Sequence, residues 1–169
     1  KDGPLEPVPD PTPTDGVHVD LAAVPYDSLS TYRFFQGALK DLQPASSVLP
    51  FAPINTLFSD YAHKARFVWM PAGTHAEYVS DSSALNFPEG AVLIKNFYYD
   101  HVQPNDTRKI LETRLLIKKN GAWTVADYAW NEEQTEAVRQ TFGINVPLQW
   151  LGDDNAMHDV IFRIPSETE

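Results

Sequence analysis

The 169-residue chain carries a formal net charge of −10, nine Phe, seven Tyr and four Trp, and no cysteine. That length suits one domain with a tail, and such a domain buries roughly two thirds of its unfolded surface without help from a metal or a disulfide. The charge argues against a nucleic-acid backbone or an anionic lipid surface as partner. The missing cysteine excludes a disulfide, a thiolate metal site, a cysteine nucleophile and a covalently attached c-type haem within the chain.

The first residues read KDGPLEPVPDPTP. Proline at alternate positions removes backbone donors and favours an extended, stiff tether, assigned to residues 1–16. Such tethers often follow the lipidated cysteine of a bacterial lipoprotein, which implies a lipid anchor upstream. A single β-rich domain is expected over residues 17–166, with 167–169 as a tail. Ser30 is placed to cap a short helix over Thr31–Leu39. Pro44, Pro50 and Pro53 make the following stretch irregular. Ala65–Met70, Thr74–Val79 and Ala91–Tyr99 read as strands.

Asn120-Gly121 is the clearest local signal, because both residues tolerate the positive φ of a two-residue hairpin turn. It joins Ile110–Lys119 to Ala122–Trp130, with Lys119 opposite Ala122 and Arg114 opposite Asp127. Leu111, Thr113, Leu115 and Ile117 then share a core face with Thr124, Ala126, Tyr128 and Trp130. An ion pair between Arg114 and Asp127 follows from that register. Asn131 and Gln134 have the spacing of a capping box, which predicts a helix over Glu132–Phe142. Val146–Leu151 and Val160–Ile164 are the last strands, with a polar turn at Asp153-Asp154-Asn155. The whole reads as mainly β, a β-sandwich or an open barrel with two short helices.

Charges at Asp60, Lys64, Lys95, Glu112, Arg114 and Asp127 lie within or beside these strands. They form either a patch that binds an anionic or polyol ligand, with Lys95 and Arg114 as donors, or a structural ion network across a solvated face. The histidines at 18, 63, 75, 101 and 158 lack zinc-ligand spacing, so surface or hydrogen-bonded roles are favoured. The acidic turn at 153–155 and Asp159 lack the pattern of a calcium loop. No nucleophile elbow or phosphate-cradling loop occurs. Trp69, Tyr98, Tyr99, Trp123, Trp130 and Trp150 read as core aromatics, with a sugar-stacking platform as the alternative. An acid–base role for Glu112 or Asp127 is weakened by Arg114, which would hold Asp127 ionised and make it a poor general acid.

Several segments together carry a resemblance. They are Leu57-Phe58-Ser59-Asp60-Tyr61-Ala62-His63-Lys64, Phe87-Pro88-Glu89-Gly90-Ala91-Val92-Leu93-Ile94-Lys95, and Leu111-Glu112-Thr113-Arg114-Leu115. Tyr128, Trp130-Asn131, Gln134-Thr135 and Phe162-Arg163-Ile164-Pro165 continue the set. In that order they resemble the N-terminal domain of an uncharacterised family of exported diheme c-type cytochromes. Related versions are similar to modules attached to soluble quinone-dependent sugar dehydrogenase-like proteins. The resemblance implies a periplasmic or cell-surface electron-transfer setting. It implies a haem c in an adjacent C-terminal domain and a haem domain or redox protein as partner. It implies no cofactor and no catalytic residue within this chain. The expected function is therefore a non-catalytic β-rich module that positions or docks a haem domain lying outside the chain. The alternative is a module that binds a carbohydrate or other small polar ligand. Nothing in the residues fixes an oligomeric state.

Overall fold

Asn120 and Gly121 adopt φ of 54° and 74° and close the tight turn that their sequence dictates. The computed structural model describes residues 16–53 and 61–166. Residues 1–15, residues 54–60 (Asp60 among them) and residues 167–169, with the tether, tail and site expectations that fall on them, lie outside the described residues.

The chain is mainly β. Ten strands occur among the described residues: β1 (Phe35–Gln36), β2 (Gln43–Pro44), β3 (Leu49–Pro50), β4 (His63–Trp69), β5 (Val92–Val102), β6 (Thr107–Lys119), β7 (Ala122–Trp130), β8 (Ala137–Gln140), β9 (Ile144–Leu151) and β10 (Met157–Ile164). β1 and β2 form a small separate sheet, and the other eight belong to one antiparallel sheet. β5 and β6 lie at its centre. β6 continues to β7 and β8, while the opposite edge of β5 pairs with β4 along most of its length and with β9 at its end, through Val102 and Trp150.

The β6–β7 hairpin has the register expected of its turn, Lys119 opposite Ala122 and Arg114 opposite Asp127. Glu89 fastens the turn, its carboxylate accepting from the backbone N–H of Asn120 and, at 3.1 Å, from that of Gly121.

Two hydrophobic layers follow from the alternation along the strands. On the first face, Val92, Ile94, Leu115, Ile117, Ala126 and Tyr128 pack against Val17, Val24, Leu29, Tyr32, Phe34 and Val48 of the irregular N-terminal region. Tyr128 Oη donates to Tyr26 O (2.8 Å), so the 2.9 Å contact between the two hydroxyls is a donation from Tyr32 to Tyr128. Tyr26 N in turn donates to Tyr32 Oη at 3.0 Å. Burial pushes the Tyr128 hydroxyl far above its ordinary range. A second buried polar chain crosses the sheet. Trp130 Nε1 donates to Thr113 Oγ1 (2.9 Å), which donates to Asn96 Oδ1 (2.6 Å), while Asn96 Nδ2 donates to Ala65 O (3.3 Å). On the second face, the β9–β10 hairpin lays Leu148, Phe162 and Ile164 over Phe97, Tyr99 and Leu111.

Four local expectations are corrected. Leu111 leaves the first face, because the pairing slips between Phe97–Glu112 and Tyr98–Ile110 and makes Leu111 the extra residue of a β-bulge. Its side chain joins the second layer beside Phe162. The segment expected as helix over 132–142 is a turn followed by β8. Asn131 Oδ1 does accept from Thr135 N (2.9 Å) and Glu136 N (3.2 Å), and Gln134 does reach back to Asn131 O (3.0 Å). Gln134, however, takes a φ of 56°, which no α-helix continues. Its side-chain amide pairs with both backbone groups of Ile110 at 2.7 and 3.0 Å, and Ala137 enters the first core. The helix expected over Thr31–Leu39 reduces to two 3-10 turns, Leu29–Tyr32 and Leu39–Asp41, the first ended by Arg33 at φ 57°. Thr74–Val79 forms no strand and pairs only through an isolated bridge between Glu77 and Asn86.

Tyr128→Phe removes one hydroxyl and strands the Tyr26 carbonyl and the Tyr32 proton behind it. Urea unfolding should show a loss of about 1–3 kcal/mol. A neutral result would mean that these hydroxyls do not anchor the N-terminal region.

Candidate functional site

Pairing register sets the charged residues on the second face in rows. Arg66, Lys95, Arg114, Asp127 and Gln140 stand directly opposite one another across β4, β5, β6, β7 and β8. The next row toward the β9–β10 hairpin is Lys64, Phe97, Glu112, Ala129 and Val138. On the other side lies an apolar row of Val68, Leu93, Leu116 and Val125, with Val125 exposed. Lys64, Lys95, Glu112, Arg114 and Asp127 are thus brought to one face. Arg66 belongs with them and is a residue the sequence reading missed.

Within this face three residues form a tight unit. Arg114 Nε donates to Asp127 Oδ1 at 2.7 Å, and Arg114 Nη2 stands 2.8 Å from Glu112 Oε1. Asp127 is 1% exposed and Glu112 is fully buried. The Glu112 contact is an ion pair without hydrogen-bond alignment, and neither Glu112 oxygen receives a well-formed hydrogen bond. Burial therefore pushes the Glu112 carboxyl up to about 8; the Arg114 charge opposes the rise and the adjacent Asp127 carboxylate adds to it. For Arg114, burial works against the charge, but Glu112 and Asp127 outweigh it and hold the guanidinium above its ordinary value. The neighbouring Lys95 is lowered by burial and by the positive charges of Arg66, Arg114 and Lys64. Its ammonium lies 4.6 Å from the Phe97 ring centre, and the Arg114 guanidinium lies 5.6 Å from the same centre. Neither Arg66 nor Lys95 has an ion-pair partner among the described residues.

A cleft of 440 Å³ opens where β4 begins, β5 ends and the β9–β10 hairpin turns. Tyr61, His63, Asp100, His101, Trp150, Asp153, Asp154 and His158 line it, with Leu151 and Gly152. No spacing in the chain announces this site. Its side chains come from four separate segments, and it is the pairing of His158 with Trp150, and of Trp150 with Val102, that gathers them. Of the aromatics singled out in the sequence, Trp69, Tyr99 and Trp130 are buried, while Trp150 walls the cleft. Trp123 meets Phe87 edge-on at 5.7 Å, with Lys118 over its ring. Among the described residues, no group of three or more His, Asp or Glu side chains is arranged to hold a metal ion.

No family model matches the chain, and no curated protein or solved structure matches it.

The raised Glu112 carboxyl ties stability to pH. From about pH 4.5 to about 8 the folded chain retains a proton that the unfolded chain has released. The Glu112 contribution is therefore complete below the unfolded value and is lost as pH rises through the folded one. Glu112→Gln mimics the protonated acid. Compared with the variant, the wild type should lose on the order of 4 kcal/mol between about pH 5 and about pH 9 in denaturant titrations. Parallel profiles for the two proteins would contradict the buried, proton-retaining carboxyl.

Proposed function

We propose that this chain is a non-catalytic docking module of an exported electron-transfer protein, and that the second face of its sheet receives an acidic partner such as a haem domain. One observation carries the reading. In a chain of net charge −10, Arg66, Lys95 and Arg114 stand in one row with Lys64 in the next, and the acids in those rows among the described residues are Asp127 and the proton-retaining Glu112. Like charges directly opposite one another on neighbouring strands destabilise a sheet. Arg66 and Lys95 sit in that unfavourable arrangement with no acidic ion-pair partner among the described residues. An incoming carboxylate row would neutralise them, and the adjoining apolar row would supply contact area. The resemblance to the N-terminal domain of exported diheme cytochromes supports the same setting, since Lys95, Glu112 and Arg114 lie within its motif segments.

The buried triad fits a support role in this reading. Arg114 is occupied with Glu112 and Asp127, so it orients the face rather than serving as a free donor. Asp127, bonded to the guanidinium at 2.7 Å, is likewise committed to the triad.

Titrating the isotope-labelled chain with an acidic-surfaced c-type cytochrome tests the proposal. Amide shifts should move at Arg66, Lys95, Leu116 and Val125 at low salt and collapse at high salt. Lys95→Glu should weaken binding by about tenfold or more through reversed charge. Shifts confined to other surfaces, or salt-independent binding, would overturn it.

A further inference from the structure

We infer that the cleft at the junction of β4, β5, β9 and β10 binds a neutral, hydroxyl-rich ligand of the saccharide class. The site shares no residue with the charged rows, so this inference stands apart from the docking role.

The cleft has a built wall. Trp150 packs on buried Tyr99, with ring centres 4.9 Å apart, and stacks on His158 at 5.1 Å and 26°. His158 Nε2 in turn meets both carboxylate oxygens of Asp154 at 2.9 and 3.1 Å. Gly152 makes that seat available. A Cβ there would stand 2.7 Å from both the His158 ring and Asp154 Oδ1, so any other residue would push the pair apart. The pairing draws the Asp154 carboxyl below its usual range, as Arg108 does for Asp100 on the opposite side. Tyr61 stands at the mouth, 70% exposed at a φ of 63°, its ring 6.3 Å from Trp150. A bulky residue in that region of backbone space is a genuine outlier.

Donor and acceptor chemistry selects the ligand. Asp100, Asp153 and Asp154 offer acceptors, and the imidazoles of His63, His101 and His158 offer donors or acceptors in the same space. Three carboxylates disfavour an anion. Two of those carboxylates are already engaged, Asp100 by Arg108 and Asp154 by His158, which leaves little to hold a cation. A hydroxyl both donates and accepts, so a polyol meets this mixed lining without an unpaired charge. The C–H face of a sugar ring suits the exposed face of Tyr61, whose negative π-cloud attracts C–H groups. At 440 Å³ the space is within the range of small-molecule sites.

Calorimetric titration of the intact chain with glucose, galactose, mannose, cellobiose, maltose and lactose provides the test, with choline and citrate as charged controls. At least one neutral sugar should bind. Asp153→Asn, at a solvent-facing position, should weaken that binding tenfold or more without shifting the thermal midpoint of the free protein, and Tyr61→Ala should weaken it tenfold or more as well. Bound sugar should also protect Tyr61 and Trp150 of the wild type from hydroxyl-radical oxidation, a readout that needs no variant. Preference for choline or citrate, no response to any of the sugars, or sugar binding that both variants and the oxidation pattern ignore would overturn the assignment. Any of these outcomes would leave the docking proposal intact, as failed cytochrome binding would leave this one.

Discussion

Arg114 holds two acidic side chains that water does not reach. It bonds Asp127 along its own row and meets Glu112 in the next, and its guanidinium also lies over Phe97, whose other contacts run to Phe162 of the β9–β10 hairpin. One side chain thus ties the central hairpin to the second hydrophobic layer. Removing charges from water is costly, and a buried ion pair repays that cost poorly compared with an apolar substitute. Its value here lies in selecting one arrangement. A slip of one residue between β6 and β7 would send Asp127 to the opposite face and leave carboxylates buried without a cation. The tight turn at Asn120-Gly121 and the triad therefore enforce the same register from two positions on one hairpin.

That register decides where everything else on the face stands. With Arg114 opposite Asp127 and Lys95 opposite Arg114, Arg66 and Lys95 fall in the same row and the apolar side chains in the next. A surface of this kind is suited to a partner with an acidic edge and an apolar strip. The cleft has a different origin. It depends on β5 passing its far end to β9, through the single pair Val102–Trp150, after β4 has ended. The two sites are consequences of the same strand bifurcation: β4 carries cations to one half of the face, and β9–β10 carries aromatics and carboxylates to the other.

Features governed by neighbouring residues were legible in the sequence. The hairpin turn, its register, the Arg114–Asp127 pair and the mainly β character all follow from residues a few positions apart. The bulge at Leu111 was not, because the extra residue appears only when β5 supplies a partner. Asn131 and Gln134 do meet, but the reciprocal bonds of a capping box do not form: Asn131 Oδ1 accepts from Thr135 N and Glu136 N, and Gln134 donates to the Asn131 carbonyl. The Gln134 amide is captured by Ile110, some twenty residues earlier, and that tertiary demand overrides the local preference. Arg66 was missed for a similar reason: its face depends on which strand β4 pairs with. The histidines at 63, 101 and 158 were each read singly, since no local spacing connects them. Only the meeting of four chain segments makes them neighbours.

A double-mutant cycle on Arg114→Met and Asp127→Asn, read by denaturant unfolding at neutral pH, tests the central claim most directly. The account predicts that the two changes interact, with a coupling energy of about 1.5 kcal/mol or more. Strict additivity of the two losses would show that the buried pair does not organise the sheet.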